Sequence, residues 1–331
     1  MTLEASLQGD QRFKLDDAAS YDPVAHSFES LSDRYTAPIA RRLANLVHEP
    51  KPTRVLDLAT GTGIVALELA ARGHRVVGID LARAMLARGR SRHGDSGAGS
   101  QLFELLPMDA EKLAFADGAF DTVVSLYGLL HFPDPLSALL EARRVLRPTG
   151  RLVVAVGSGP SRRTVEGLLD AGSRLWGRCL GLAGRRLEAP RFLDGLVRQW
   201  LPATAEPEEA LLPRTHRNRA QVVPALLRRA GFVDVQTCWW SEVTEVATAA
   251  EFWELQATFS SFARKRLAVA TEDEIGALRD RFDRACSRVL DRGGTLLYPR
   301  GALVATGRRG GESRHSTVTN STSRDPRGPR T

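Results

Sequence analysis

Cysteine is scarce in this 331-residue chain, and its three copies, Cys179, Cys238 and Cys286, lie far apart. No Cys-x-x-Cys pair and no His-Cys cluster occurs. A disulfide framework and a zinc site are thereby excluded as expectations, and a reducing compartment is favoured. Long hydrophobic runs are missing as well: none approaches the roughly 20 apolar residues a helix needs to cross a bilayer. Met1 to Asp17 is polar and mixed in charge, with no apolar stretch of the secretory kind. The expectation is a cytoplasmic protein without a metal. Acidic residues are outnumbered, and the net charge is +7. The excess is concentrated, however. From Gly307 to Thr331 six arginines (308, 309, 314, 324, 327, 330) stand against Glu312 and Asp325. The basic character is mostly a property of this tail, which is expected to be disordered and solvated.

What remains is ordinary for a globular protein, with 43% hydrophobic and 26% charged residues. Residues 1–50 read as a polar leader followed by helices around Ala25–Phe28 and Pro38–Leu46. Residues 51–306 form the main domain and 307–331 the tail. Within the domain, Arg54–Ala59 (RVLDLA), Arg75–Asp80 (RVVGID), Gln101–Leu106, Phe120–Leu126 (FDTVVSL) and Arg151–Val156 (RLVVAV) are short apolar runs. Segments with helical spacing separate most of them. That alternation predicts right-handed crossovers and a parallel sheet buried on both faces. Further on, Gln221–Ala230, Gly231 and Phe232–Trp240 read as helix, C-cap glycine and strand, and Thr295–Thr306 as a last strand. The fold expected is α/β: a Rossmann-like, doubly wound, mostly parallel seven-stranded sheet with an antiparallel last strand. Helical insertions at about 158–219 and 248–291 are expected, the second serving as a cover.

The chemistry lies in Asp57-Leu58-Ala59-Thr60-Gly61-Thr62-Gly63, between the first strand and the first helix. Two glycines let the chain turn tightly and let a ligand approach its backbone. In an open α/β sheet this turn sits at the carboxyl end of the first strand, where ligands bind. Asp80 ends the second strand nineteen residues after Gly61, the place for a carboxylate that accepts hydrogen bonds from ribose hydroxyls. Both features also suit a nicotinamide or flavin enzyme, and Gly61 to Ala66 meets the relaxed G-x-G-x-x-G/A pattern. Asp57 separates the two readings. A dinucleotide brings a pyrophosphate to this turn, which a carboxylate repels. S-adenosylmethionine instead brings an ammonium and a sulfonium, which a carboxylate attracts. Asp109-Ala110, just after the third strand, supplies a third acid, placed to accept a hydrogen bond from an adenine amino group.

These stretches resemble the class I S-adenosylmethionine-dependent methyltransferases, and within them the type 11 group and the ubiquinone/menaquinone-biosynthesis methyltransferases. The matching pieces are VLDLATGTG (55–63), VVGIDLARAML (76–86), LPMDAEKLAFADGAFDTVVS (106–125) and RRVLRPTGRLVVAV (143–156). YDPVAHSFES (21–30) is similar to the leader that folds over the cofactor in that group. Ala59 stands where the wider class commonly has glycine. The resemblance implies that Asp57 lies near the methionine end, and that Ala59, Gly61 and Gly63 form a close backbone wall. It implies that Asp80 holds the ribose and Leu81 packs on the adenine, unless Leu81 is plain core. It places Asp109 and Ala110 at the adenine, and Ser125 either on the methionyl side or merely at a strand end. The cofactor implied is S-adenosyl-L-methionine, with S-adenosyl-L-homocysteine as its product.

Methyl transfer from a sulfonium is an in-line displacement with a neutral leaving group, so alignment and exclusion of water dominate. A base is needed only for an acceptor that still carries its proton. His131 and Tyr127, just beyond the fourth strand, are the candidates, with loop orientation as the alternative role for His131. Phe28, Tyr35, Trp253 and Phe259 are candidate pocket aromatics, and Trp239-Trp240 is read as packing. The partner expected is a small, hydrophobic, ring-containing acceptor, with no specific nucleic acid and with contact to an anionic membrane surface left open. RNA or protein methylation and a non-catalytic donor-binding module are the other readings. SLYG stands where an N/D-P-P-Y/F motif would mark base-amino methylation.

Overall fold

The computed structural model describes residues 3–47, 53–94, 102–157, 186–202 and 222–310. Short runs of β-branched and aliphatic residues form the central strands: β1 (Arg54–Leu58), β2 (Arg75–Asp80), β3 (Phe103–Pro107), β4 (Phe120–Leu126) and β5 (Leu146–Gly157). These pair in parallel in the order β3-β2-β1-β4-β5, with Leu56 opposite Val77 on one side and Val123 on the other. The order reverses at β1, so the carboxyl ends of β1 and β4 flank a topological switch point, where such sheets bind ligands.

Beyond β5 come β6 (Arg186–Glu188), β7 (Phe232–Val246) and β8 (Thr295–Arg309). β8 is antiparallel to both β5 and β7, and its first residues pair in parallel with β6. The antiparallel last strand is as expected. The sheet differs from the sequence reading in having eight strands, because three residues inside the supposed helical insertion pair with β8. The rest of that insertion, 158–185 and 203–219, lies outside the described residues, as does the tail beyond Gly310. β8 also runs three residues past the expected domain end. Arg309 is tied to the sheet by donating to the carbonyls of Arg144 and Leu146, so Arg308 and Arg309 belong to the fold and not to the tail.

Helices cover both faces. α1 (Leu3–Ala19), α2 (Ala25–Tyr35) and α3 (Ala37–Ala44) precede the sheet; α4 (Ile64–Ala71), α5 (Arg83–Gly94) and α6 (Pro135–Val145) are crossovers. α6 starts where Asp134 accepts from the backbone N–H groups of Leu136 and Ser137, with Pro135 in the first turn. α7 (Arg191–Trp200) and α8 (Val223–Arg229) follow. The 248–291 stretch divides into α9 (Ala249–Phe259), α10 (Ser261–Leu267) and α11 (Glu272–Leu290). Ser260 ends α9 and caps α10 by accepting from Ala263, and Thr271 with Glu274 forms a capping box at α11.

One core lies between the sheet and α6 and α8, around Leu56, Leu139 and Val154; another lies between the opposite face and α3 and α4, around Leu43, Leu69 and Val153. A third joins Tyr35, Leu193, Phe252, Phe282 and Tyr298 into a cover that includes α7, α9 and α11. α1 occupies a segment that reads as polar and mixed in charge, and its described part is anchored by ions. Lys14 pairs with Asp109 at 2.9 Å and Glu111 at 2.5 Å, Lys265 pairs with Asp17 at 2.5 Å, and Leu15 faces solvent. Among the described residues no helix is long and apolar enough to cross a membrane.

Candidate functional site

The turn from β1 into α4 is held from three directions. Thr60 donates its backbone N–H to the Ile79 carbonyl at 2.9 Å and its hydroxyl to Asp57 Oδ2 at 2.7 Å, and Gly63 donates to the Thr60 carbonyl at 2.9 Å. Gly63 starts α4 at φ +84°, a left-handed conformation that a side chain would strain. Ala59 adopts φ +55° in the same turn, a left-handed conformation that favours glycine. At the end of β4, Tyr127 also takes a positive φ, +62°. The next residue has to be glycine for a different reason. A Cβ on Gly128 would lie 2.5 Å from Ala59 Cβ and 2.9 Å from Ser125 Oγ. The two loops therefore touch, and between them opens a cavity of about 680 Å³, within the range of small-molecule sites.

Two carboxylates form one side of this cavity. Asp57 is 2% exposed, and burial, opposed by the Thr60 hydrogen bond and reinforced by the nearby Asp80 charge, pushes its carboxyl up to about 7. Asp80 accepts from Gly61 N at 2.8 Å through Oδ2 and from Ala82 N at 2.9 Å through Oδ1. Burial raises its carboxyl too, against the pull of those N–H donors. Negative charge is thus held at a cost that a bound cation would relieve. Asp109 also reaches the cavity wall. Its Oδ1 accepts from Glu111 N and its Oδ2 from Lys14 Nζ, both at 2.9 Å, so the third acid meets a leader lysine.

Of the other residues singled out from sequence, Ala59, Gly61, Leu81, Ala110, Tyr127 and His131 line the cavity, as do Phe28 and Phe259. Gly63 and Ser125 are not among the lining residues. A Cβ on Gly63 would face Phe103 at 3.0 Å, and the fully buried Ser125 hydroxyl donates to the Leu58 carbonyl at 2.9 Å. Ser125 therefore ties β4 to β1 behind the turn. Tyr35 is buried in the cover, its hydroxyl donating to Glu251 at 2.8 Å, and Trp253 packs against Phe282. His131 directs Nδ1 at Asp17 Oδ2, 3.1 Å away. Burial would raise the Asp17 carboxyl, but His131 and Lys265 together hold it well below the usual carboxylate range. This contact clasps α1 onto the site.

Sequence reasoning missed Lys14 and Asp17, which lie in a segment with no apolar pattern, and the stretch of wall built by β7 and β8. Trp239, read as packing, lines the cavity, whereas Trp240 packs on the other side under the Arg42 guanidinium. Tyr298 and Arg300 line the cavity as well. A signal was present: along β8 the buried positions alternate through Leu296, Tyr298, Ala302 and Val304, and Arg300 falls on that buried face.

The architecture defines a Rossmann-like, doubly wound protein with a small-molecule cavity at its switch point. Residues 56–154 match the methyltransferase domain family. A demethylmenaquinone methyltransferase of Thermus thermophilus is 47% identical over 116 residues, 34% of this chain and 51% of that one. Another, from Beutenbergia cavernae, is 34% identical over 190 residues, 56% of this chain and 76% of that one. The first of these matches spans only about half the relative's length. The solved structure of the YcgJ protein from Bacillus subtilis is similar with a TM-score of 0.47 at 17% identity, covering 82% of this chain and 99% of that one. The chain belongs to the class I S-adenosylmethionine-dependent methyltransferases.

Proposed function

We propose that this protein transfers a methyl group from S-adenosylmethionine to a small, hydrophobic, ring-containing acceptor. The observation that carries the reading is the pair of carboxylates, the buried Asp57 and the half-buried Asp80, at the β1 and β2 ends of a small-molecule cavity. The charge pattern suits a cationic nucleoside and disfavours a pyrophosphate, because the acids stand at the glycine turn and the wall's Lys14 is spent on Asp109 and Glu111. When bound, the cofactor supplies an electrophilic methyl group on a positively charged sulfur.

On this reading Asp80 accepts from the ribose hydroxyls with the lone pairs left over from Gly61 and Ala82. Asp57 faces the methionine end, Leu81 and Ala110 pack at the adenine, and Asp109 orients Lys14 and the adenine edge. Ala59 and Gly61 supply the close wall. Gly63 and Ser125 act from behind, by shaping the turn and fastening β4 to β1. His131 positions the leader through Asp17, and Tyr127 presents its hydroxyl to the acceptor side. Phe28 and Phe259, edge to face at 5.1 Å, help keep water from the reacting atoms. The apolar lining, and the demethylmenaquinone methyltransferases among the relatives, support a quinone-like or otherwise ring-bearing acceptor.

The test is transfer of an isotopically labelled methyl group from S-adenosylmethionine into an extract of small metabolites, followed by mass spectrometry of what becomes labelled. The expected result is a low-mass aromatic or quinone-like product together with S-adenosylhomocysteine. Labelled RNA or protein with no labelled small molecule would count against it.

A further inference from the structure

We propose that the acceptor carries an anionic oxygen on its ring system, a carboxylate or an ionised hydroxyl, and that Arg300 anchors it together with the Tyr127 hydroxyl. This deepens, and rests on, the methyltransferase reading, since it names the substrate class for the same cavity.

Arg300 lies on β8 opposite Glu242 of β7. The residue is 7% exposed, and its side chain contributes to the cavity wall. Its Cζ sits over the Tyr298 ring at 5.2 Å and the Tyr35 ring at 5.8 Å, so the guanidinium is held in place by aromatic faces. Glu242 forms an ion pair with it, Oε2 lying 3.6 Å from Nη2, which balances the charge but is beyond hydrogen-bond reach and leaves the N–H donors unused. Among the described residues, Nε, Nη1 and Nη2 of Arg300 are all buried without an acceptor. The Tyr127 hydroxyl on the same cavity is likewise buried without a partner among them; burial raises it, and it feels both the Arg300 charge and the opposing Glu242 charge.

Unused buried donors are costly, and the guanidinium here has three nitrogens in that state. None of the groups assigned to the donor, Asp57, Asp80 or Leu81, engages them. A ligand oxyanion would satisfy them: the planar fork of arginine matches a carboxylate in two parallel bonds, and a phenolic or enolic oxygen in one. Flat apolar surfaces stand close by, where Phe259 and Tyr298 stack at 6.1 Å and 5°. A planar ring carrying one negative oxygen group fits both features.

The test uses the full chain saturated with S-adenosylhomocysteine and titrated calorimetrically with 2-naphthoate, 2-naphthol and the neutral isostere 2-naphthamide. The wild type is expected to bind 2-naphthoate, or 2-naphthol as its red-shifted naphtholate, at least about tenfold more tightly than the amide. Which of the two anions wins tells carboxylate from ionised hydroxyl. Arg300→Met is expected to reduce the preference to less than about twofold while leaving S-adenosylhomocysteine affinity unchanged. Arg300→Lys, which keeps the charge without the fork, is expected to retain part of it. Equal binding of anion and amide by the wild type, no binding of any of the three, or a preference that survives Arg300→Met would overturn the inference. The wild-type ratio decides alone if the variants do not fold. Failure of S-adenosylhomocysteine itself to bind would sink the broader reading and this one with it; its binding without anion preference overturns this one only.

Discussion

On the proposed assignment, Asp57 makes the donor site sensitive to pH in a calculable way. In the free protein its carboxyl is raised to about 7 by burial and by the Asp80 charge. A cation bound beside it favours the ionised form, so a proton held there must leave when the donor arrives. The apparent affinity then scales with the ionised fraction: about nine-tenths at pH 8, about one-half at pH 7 and about one-eleventh at pH 6. Affinity should therefore fall roughly tenfold from pH 8 to pH 6, most of it below neutrality. Titration calorimetry at pH 7 in buffers of different ionisation enthalpy should register about half a proton released per donor bound. Asp57→Asn keeps an oxygen that can accept from Thr60 but carries no charge. It should weaken donor binding by about 1.5–3 kcal/mol at pH 8 and abolish the Asp57 part of the slope. A second consequence concerns the fold. A group whose folded pKa is raised gives its full stability below the ordinary carboxylate range, and that contribution is lost as pH rises through about 7. The Asn variant should thus be the more stable protein above pH 7 without ligand, by on the order of a few kcal/mol. A flat wild-type affinity profile between pH 6 and 8, or an Asn variant with the same slope and proton release, would refute the reasoning.

Three further outcomes are expected. Asp80→Ala should weaken S-adenosylmethionine binding by roughly 1–3 kcal/mol through loss of charge-assisted hydrogen bonds, read by calorimetry. Asp17→Asn should loosen α1 by about 2–4 kcal/mol, since it strips the buried partner from Lys265 and His131. Faster amide exchange confined to α1 would show it. Because the Asp17 carboxyl is depressed, its contribution holds above the ordinary carboxylate range and is lost as pH falls toward the folded value. Gly128→Ala should cost about 1–3 kcal/mol in urea unfolding, because the new methyl group would collide with Ala59 and Ser125.

The parallel half of the sheet was legible because its strands are short, apolar and punctuated by glycine turns, and the same local pattern exposed Asp57, Gly61 and Asp80. What escaped was whatever depends on distant pairing. β6 is three residues long and exists only because β8 offers it an edge. α1 is ordered through Lys14 and Asp17, whose partners lie at Asp109, Glu111, His131 and Lys265. Ser125 and Gly63 illustrate a different limit: motif position brings a residue to the right loop, while backbone direction decides whether it faces the ligand or the scaffold. Arg300 lay outside the family motifs, and only the alternation of β8 hinted that a cation was turned inward.

The acids at 57 and 80 are proposed to hold a positively charged adenosyl donor. Direct titration of the protein with S-adenosylmethionine, and in parallel with NADH, tests it most plainly. One-to-one binding of the sulfonium ligand, weakened in both acid variants and without competition from NADH, is the predicted result. Uptake of NADH in its place, or sulfonium binding indifferent to both substitutions, would contradict it.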